Sequence, residues 1–131
     1  MLILTIRTDK PEAELGLYKD NEQVAYHSWQ AHRQLAETIH TEIKKILEAE
    51  DYKLSDLNAI VAYKGPGSFT GLRIGLSVAN ALADSLDIAI VGVTTTDDWI
   101  KIGTKKLMKG ENQKIIVPEY GAAPNVTKPR K

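Results

Sequence analysis

Gly65-Pro66-Gly67-Ser68-Phe69-Thr70-Gly71-Leu72-Arg73-Ile74-Gly75 decides the fold, because the apolar run Leu57 to Tyr63 ends there in a glycine-rich turn and a helical pattern begins. Ser68 or Thr70 is placed to N-cap that helix by offering a side-chain oxygen to the free amides of its first turn. Gly71, Gly75, Ala79 and Ala83 recur every four residues and so stack into one ridge of small side chains. Ile74, Val78, Ala81, Leu82 and Ser85 form a second arc, expected to lie on a sheet, while Leu72 and Leu76 widen the ridge side. Arg73, Ser77, Asn80, Asp84 and Asp87 share the polar sector. A helix resting on a sheet needs an apolar stripe of about 100°, and this one covers roughly twice that. The ridge is therefore expected to meet a second partner.

Working outward, three β-rich runs precede this unit, at Leu2 to Ile6, Glu12 to Tyr18 and Gln23 to Trp29, separated by turn residues and expected to pair antiparallel. A helical pattern from Ala31 to about Glu50 carries Leu35, Ala36, Ile39, Ile43, Ile46 and Leu47 on one face. Ile88 to Val93 follows the glycine-rich unit as another buried strand. Strands alternating with helices imply parallel pairing through right-handed crossovers. Thr94-Thr95-Thr96 is expected to cap a last short helix ending near Ile102. Gly103 to Gln113 reads as a loop, and Ile115-Ile116-Val117 as one more short strand. Pro118, Gly121, Pro124 and Pro129 predict an extended tail ending in Lys128, Arg130 and Lys131. The order predicts a single α/β domain of the ribonuclease H-like fold, the half-unit of the actin-like ATPases. It has a mixed sheet of three antiparallel opening strands plus two parallel strands, over residues 1–102, with a loop, strand and tail over 103–131.

The chain has 131 residues, 17 basic and 17 acidic, so no net field drives it onto nucleic acid or an anionic membrane. It has no cysteine, which excludes disulfides, thiolate catalysis and cysteine-based zinc sites. The apolar start is cut short by Arg7 and Asp9, too early for a signal peptide or a membrane span. A cytoplasmic protein is expected.

The turn at Gly65, Gly67, Ser68 and Thr70 invites an anion-binding reading, since amides at a helix start attract phosphates. Its spacing departs from a phosphate loop: the position five residues after Gly65 is Thr70, and no lysine follows Gly71. Thr70 also stands where the dinucleotide fingerprint has its third glycine. Two readings stay open, a tight turn with close helix packing and an independent nucleotide-binding protein or ATPase. A nuclease needs carboxylates gathered at strand ends, yet the first strand ends in Arg7-Thr8 and the fourth in Tyr63-Lys64. His27, His32 and His40 lack metal-ligand spacing, and Ser68 lacks a G-x-S-x-G frame. No catalytic residue, cofactor or metal is expected.

The eleven residues Gly65 to Gly75 resemble, almost letter for letter, the signature of the TsaB (YeaZ) family. The likeness extends over about residues 1 to 100, through His32-Arg33-Gln34-Leu35 and Val91-Gly92-Val93-Thr94-Thr95, and returns in Pro118-Glu119-Tyr120 and Pro124-Asn125-Val126-Thr127-Lys128-Pro129. The resemblance implies an actin-like fold without catalysis, in a subunit of bacterial tRNA threonylcarbamoyladenosine synthesis. It implies docking to the catalytic paralogue TsaD, with a TsaE ATPase joining and tRNA met only through the partner. Some members pair with themselves, so a homodimer, or a homodimeric regulator, is the further alternative. Carried over, Gly71, Leu72, Gly75, Leu76, Ala79 and Ala83 would face TsaD, assisted by His32, Leu35 and Ile39. The chain departs from the family in two ways. Arg7-Thr8-Asp9 stands where the first strand usually ends in Asp-Thr-Ser. Only about fifteen residues separate Ile102 from the tail motif, so a minimal form without the family's second domain is expected.

Overall fold

Alternation along the first strand sends the chain's apolar residues to two sides of one sheet. In β1 (Leu2–Arg7), Leu2, Leu4 and Ile6 join one core cluster and Ile3 the other. The computed structural model describes residues 1–94 and 97–119. β2 (Glu12–Lys19) and β3 (Glu22–Gln30) follow as an antiparallel meander, with a register shift at Leu17/Tyr18. A 3-10 turn, His32–Gln34, leads into α1 (Leu35–Ala49), so the α-helix starts four residues later than Ala31. β4 (Ala59–Tyr63) lies parallel to β1, pairing Leu4 with Ile60. α2 (Phe69–Leu86) then crosses over to β5 (Ala89–Val93), which pairs parallel with β4. The sheet order is β3-β2-β1-β4-β5, as expected from three meandering strands followed by α/β units.

The two clusters define the layers. α1 and α2 cover one face, burying Leu35, Ile39, Ile43, Leu76, Ala79 and Ala83 over Leu4, Ile6, Leu15, Leu17 and Ile60. The last helix, α3 (Trp99–Met108), covers the other, where Trp99 and Leu107 meet Ile3, Val61, Val91 and Val93. No helix among the described residues is long and apolar enough to cross a membrane.

The structure corrects the sequence reading in three places beyond the first β-α-β unit. α3 runs on through Met108 instead of stopping near Ile102, so 103–108 is helix and not loop. Gly103 does not break it. It lets the helix approach the sheet, since a Cβ there would lie 2.3 Å from Val61 Cγ1. Asp98, with φ 56°, occupies the residue before α3; Thr95 and Thr96 of the expected cap lie outside the described residues. Ile115-Ile116-Val117 forms no strand. Asn80 of α2 holds Ile116 instead, donating from Nδ2 to its carbonyl (2.9 Å) and accepting its N–H at Oδ1 (2.8 Å). The expected extended tail from Tyr120 to Lys131 also lies outside the described residues.

Side chains complete the sheet's β5 edge. Asn112 Oδ1 accepts the Ile90 N–H at 3.2 Å, and Gln113 Oε1 accepts the Gly92 N–H at 2.9 Å. The Gln113 N–H donates to the Ile90 carbonyl at 2.9 Å. Unpaired strand edges recruit other strands, and the segment after α3 leaves this one few free groups. It then crosses to β4, where the Glu119 N–H donates to the Lys64 carbonyl at 2.7 Å.

Candidate docking face

Gly65 takes φ +117°, a conformation that disfavours any side chain, and a Cβ there would lie 2.0 Å from the Glu119 carbonyl oxygen. Gly67 lies against Asp9: a Cβ there would be 2.3 Å from Asp9 Cβ. Ser68 occupies the N-cap position of α2, but its side chain makes no capping hydrogen bond. Its N–H donates to the Asp9 carbonyl at 2.8 Å. Thr70, the alternative cap, lies within the helix. The loop after β1 thus fills the approach to this turn.

Arg7 and Asp9 form a largely buried ion pair there, with Arg7 Nε donating to Asp9 Oδ1 at 2.7 Å and Arg7 Nη2 to Oδ2 at 3.2 Å. The guanidinium carbon also lies 4.2 Å from the Tyr63 ring centroid. The hydrogen bond to Asp9 raises the Arg7 pKa, against the opposing effect of burial. The cation at the end of β1 is therefore neutralised within the chain.

The small ridge of α2 faces inward, which corrects its assignment to a partner. A Cβ on Gly71 would lie 2.2 Å from the Thr8 carbonyl oxygen, and one on Gly75 2.0 Å from Thr8 Oγ1. Thr8 Oγ1 donates to the Gly71 carbonyl at 2.8 Å, tying the helix to the end of β1. Ala79 and Ala83 further along the ridge are buried, with Leu76 and with Leu35 and Ile39 of α1, in the cluster under the two helices, and Leu72 is buried in the cluster on the other face. The helix has two apolar arcs, and the one with the smaller side chains allows the closer approach to its own sheet. Of the residues assigned to a partner, His32 alone is exposed; it sits in the 3-10 turn with φ 46°.

The other arc therefore looks outward. Ile74, Val78 and Leu82 are half-buried at the rim of the core, and Ala81 is exposed. Between α1 and α2 this leaves an open groove of about 390 Å³ lined by Ala36, His40, Thr70, Arg73, Ile74, Ser77 and Val78. Arg73 lies over the exposed Phe69 ring, 5.3 Å from its centroid. Of these residues the sequence reading had placed only Thr70 among its candidates. The signal was present in the second arc, which had been assigned to the sheet. The arrangement supplies a concave apolar strip with a polar rim, the composition of a protein-docking surface.

Three antiparallel strands followed by two parallel ones, with helices on both faces, make this a ribonuclease H-like domain, the half-unit of the actin-like ATPases. RuvC of T. thermophilus shares that fold at TM-score 0.55 and 10% identity, covering 92% of this chain and 85% of that one. Residues 27–117 match the family model described as TsaD: tRNA N6-adenosine threonylcarbamoyltransferase. A tRNA threonylcarbamoyladenosine biosynthesis protein TsaB from Buchnera aphidicola subsp. Schizaphis graminum is 34% identical over 120 residues, covering 87% of this chain and 56% of its own length. YeaZ from Pseudomonas aeruginosa superposes with TM-score 0.66 at 26% identity, covering 71% of this chain and 43% of that one. The chain belongs to the TsaB (YeaZ) family. It spans about half the length of the curated relatives it matches.

Proposed function

We propose that this chain serves tRNA threonylcarbamoyladenosine synthesis as a non-catalytic subunit that docks a TsaD-type paralogue on the groove between α1 and α2. The observation that carries the reading is the outward apolar arc of α2: Ile74 and Val78 are only half-covered by the core and Ala81 is exposed, while the ridge beside them is already buried. A helix pair from the partner laid into this groove would cover the arc, as amphipathic helices do in apolar grooves. In this reading a TsaE-type ATPase joins the larger assembly, and the work takes place in the cytoplasm. The domain through the end of α3 at Met108 would act as the docking half.

The nucleotide-binding alternative is less favoured. The Gly65 to Ser68 turn has Asp9 packed against Gly67 and one of its amides already donating to Asp9. The residue packed against Gly67 is thus an acid, held by Arg7, which disfavours an anion at this turn. Self-pairing through the same groove is the competing use of the apolar arc, and light scattering of the chain alone separates it from the paired state.

The test is Val78→Glu, scored by calorimetric titration against the TsaD-type protein of the same organism. Val78 is half-buried at the rim and its side chain has no polar atom whose partner would be lost, so the variant should keep its fold. A charge placed without a partner in the centre of a docking interface costs several kcal/mol, and affinity should fall at least a hundredfold. A folded variant that binds as tightly as the parent would refute the groove as the docking face.

A further inference from the structure

The face of α3 that points away from the sheet carries Lys101 and Lys105, and Lys109 follows at the C-cap position with the same four-residue spacing; all three are exposed. Four residues rise about 6 Å along a helix, so the three ammonium groups form one row. Among the described residues none of them lies within ion-pair distance of a carboxylate, whereas Lys10 and Lys45 pair with Glu14 and Glu42. Lys106, alongside, donates to the Gly92 carbonyl at 3.4 Å. The chain as a whole balances 17 bases with 17 acids, yet from Asp97 to Lys114 it has five lysines against three acids, Asp97 and Asp98 just before the helix and Glu111 after it. Glu111 is engaged by Gln113 at 2.8 Å. Zero net charge therefore conceals a segregated basic strip.

We infer that the outer face of α3 is a contact surface for the phosphate backbone of RNA. Three kinds of polyanion fit a lysine row, and two of them fit poorly here. A helix lying on a membrane needs an apolar face to insert, and the apolar face of α3, at Trp99 and Leu107, is spent on the sheet. Ile102 alone stands among the lysines, with Met108 at their margin. Protein interfaces are depleted in lysine and rich in aromatic and arginine anchors, and this face has neither. Evenly spaced, unpaired point charges on flexible stems suit a regular row of phosphates, which they neutralise while releasing counterions. The contact carries no sequence information of its own; it would hold and orient an RNA selected elsewhere. The sequence reading had tRNA met only through a partner protein, and this surface makes the contact direct. The choice of tRNA as the probe rests on the function proposed above; the contact itself rests on the charge row.

The test measures binding of an unmodified tRNA transcript to the chain alone by fluorescence anisotropy across a salt series. The variant K101Q/K105Q/K109Q is compared with K44Q/K45Q/K53Q, which removes the same charge from the α1 side, and circular dichroism verifies both folds. The α3 variant should bind at least tenfold more weakly at low salt, and the slope of log affinity against log salt should fall by about 2–3. The α1 variant should stay within about twofold of the parent. Equal losses in the two variants would overturn the inference, as would a parent chain that does not bind tRNA at low salt. Lysine-dependent binding to phosphatidylserine vesicles without binding to tRNA would also overturn it, in favour of a membrane. No TsaD-type protein is present in this assay, so its failure and a failure of groove docking are read separately.

Discussion

Replacing Gly75 with alanine separates an inward ridge from an outward one. Alanine should stabilise a helix interior by about 1 kcal/mol over glycine, and it would do so here if the position faced open space. The added Cβ instead lies 2.0 Å from Thr8 Oγ1, 2.9 Å from its Cγ2 and 3.0 Å from its Cβ. Thr8 is buried at the end of β1, so it cannot swing into solvent. Forcing a methyl into such a contact costs about 1–3 kcal/mol. Turning the hydroxyl away also breaks its 2.8 Å hydrogen bond to the Gly71 carbonyl, worth about 1 kcal/mol. After the propensity gain the balance is a loss of about 1–3 kcal/mol, or about 4–12 °C in Tm for a chain of this length. Thermal and urea unfolding followed by circular dichroism provide the measurement. Thr8→Ala in the same molecule removes Oγ1 and Cγ2, so Gly75→Ala in that background should recover most of its cost; the two residues touch, and such pairs couple strongly. A single variant as stable as the parent, or more stable, would refute the packing described here. Were the ridge an interface, capture of the partner would fail while unfolding stayed unchanged.

Two further outcomes follow from the same contacts. Asn80→Ala leaves both the N–H and the carbonyl of Ile116 without their partner, at a cost of about 1–3 kcal/mol. Amide exchange at Ile116 should accelerate at least tenfold, and unchanged exchange would show that something else holds this segment. Alkaline pH should destabilise the fold. Burial is the leading cause that raises Tyr18, Tyr26 and Tyr63 above the usual 10.0, with Glu14 helping to carry Tyr26 to about 12. A raised tyrosine favours the protonated ring in the folded state, so its contribution is complete below pH 10 and is lost as pH rises through the folded value. The urea midpoint should fall between about pH 9 and pH 11.5, less so in Tyr26→Phe, and a midpoint that rises would contradict the sign.

Much of the architecture could be read from the chain because its signals were local. The runs at β1, β2 and β3 alternate or stay apolar between clear turns, and the glycine-rich turn sets the strand and helix on either side of it. The orientation of α2 was not legible, because both of its apolar arcs satisfy the helical period. Which arc faces inward depends on how closely β1 comes, and that is a property of Thr8, more than sixty residues away in sequence. The end of α3 was misread through Gly103, since glycine breaks helices by entropy but also permits close contact, and only the position of Val61 decides between these. The four-residue spacing of Lys101, Lys105 and Lys109 was the helical signal that could have corrected this. Ile115 to Val117 looked like a strand on composition alone. Lys114, with φ 68°, and the clasp from Asn80 hold it instead as an irregular segment.

The same ambiguity bears on the proposed functional layout. Taking the ridge as an interface and 103–113 as a loop assigns every role to one surface and leaves tRNA to a partner. Once the ridge is buried against β1 and α3 is complete, the exposed features separate by layer: the apolar groove belongs to α1 and α2 on one face of the sheet, and the lysine row to α3 on the other. Occupation of one leaves the other accessible, so a paralogue in the groove and RNA along α3 can be held together without competing for area. The contributions should then be nearly additive, as they are for distant sites that share no contacts. Val78→Glu should leave the salt slope for tRNA intact, and K101Q/K105Q/K109Q should leave the affinity for the paralogue intact. A variant of either face that weakened both would mean that the two ligands share one surface, and the separation by layers would not describe how this chain works.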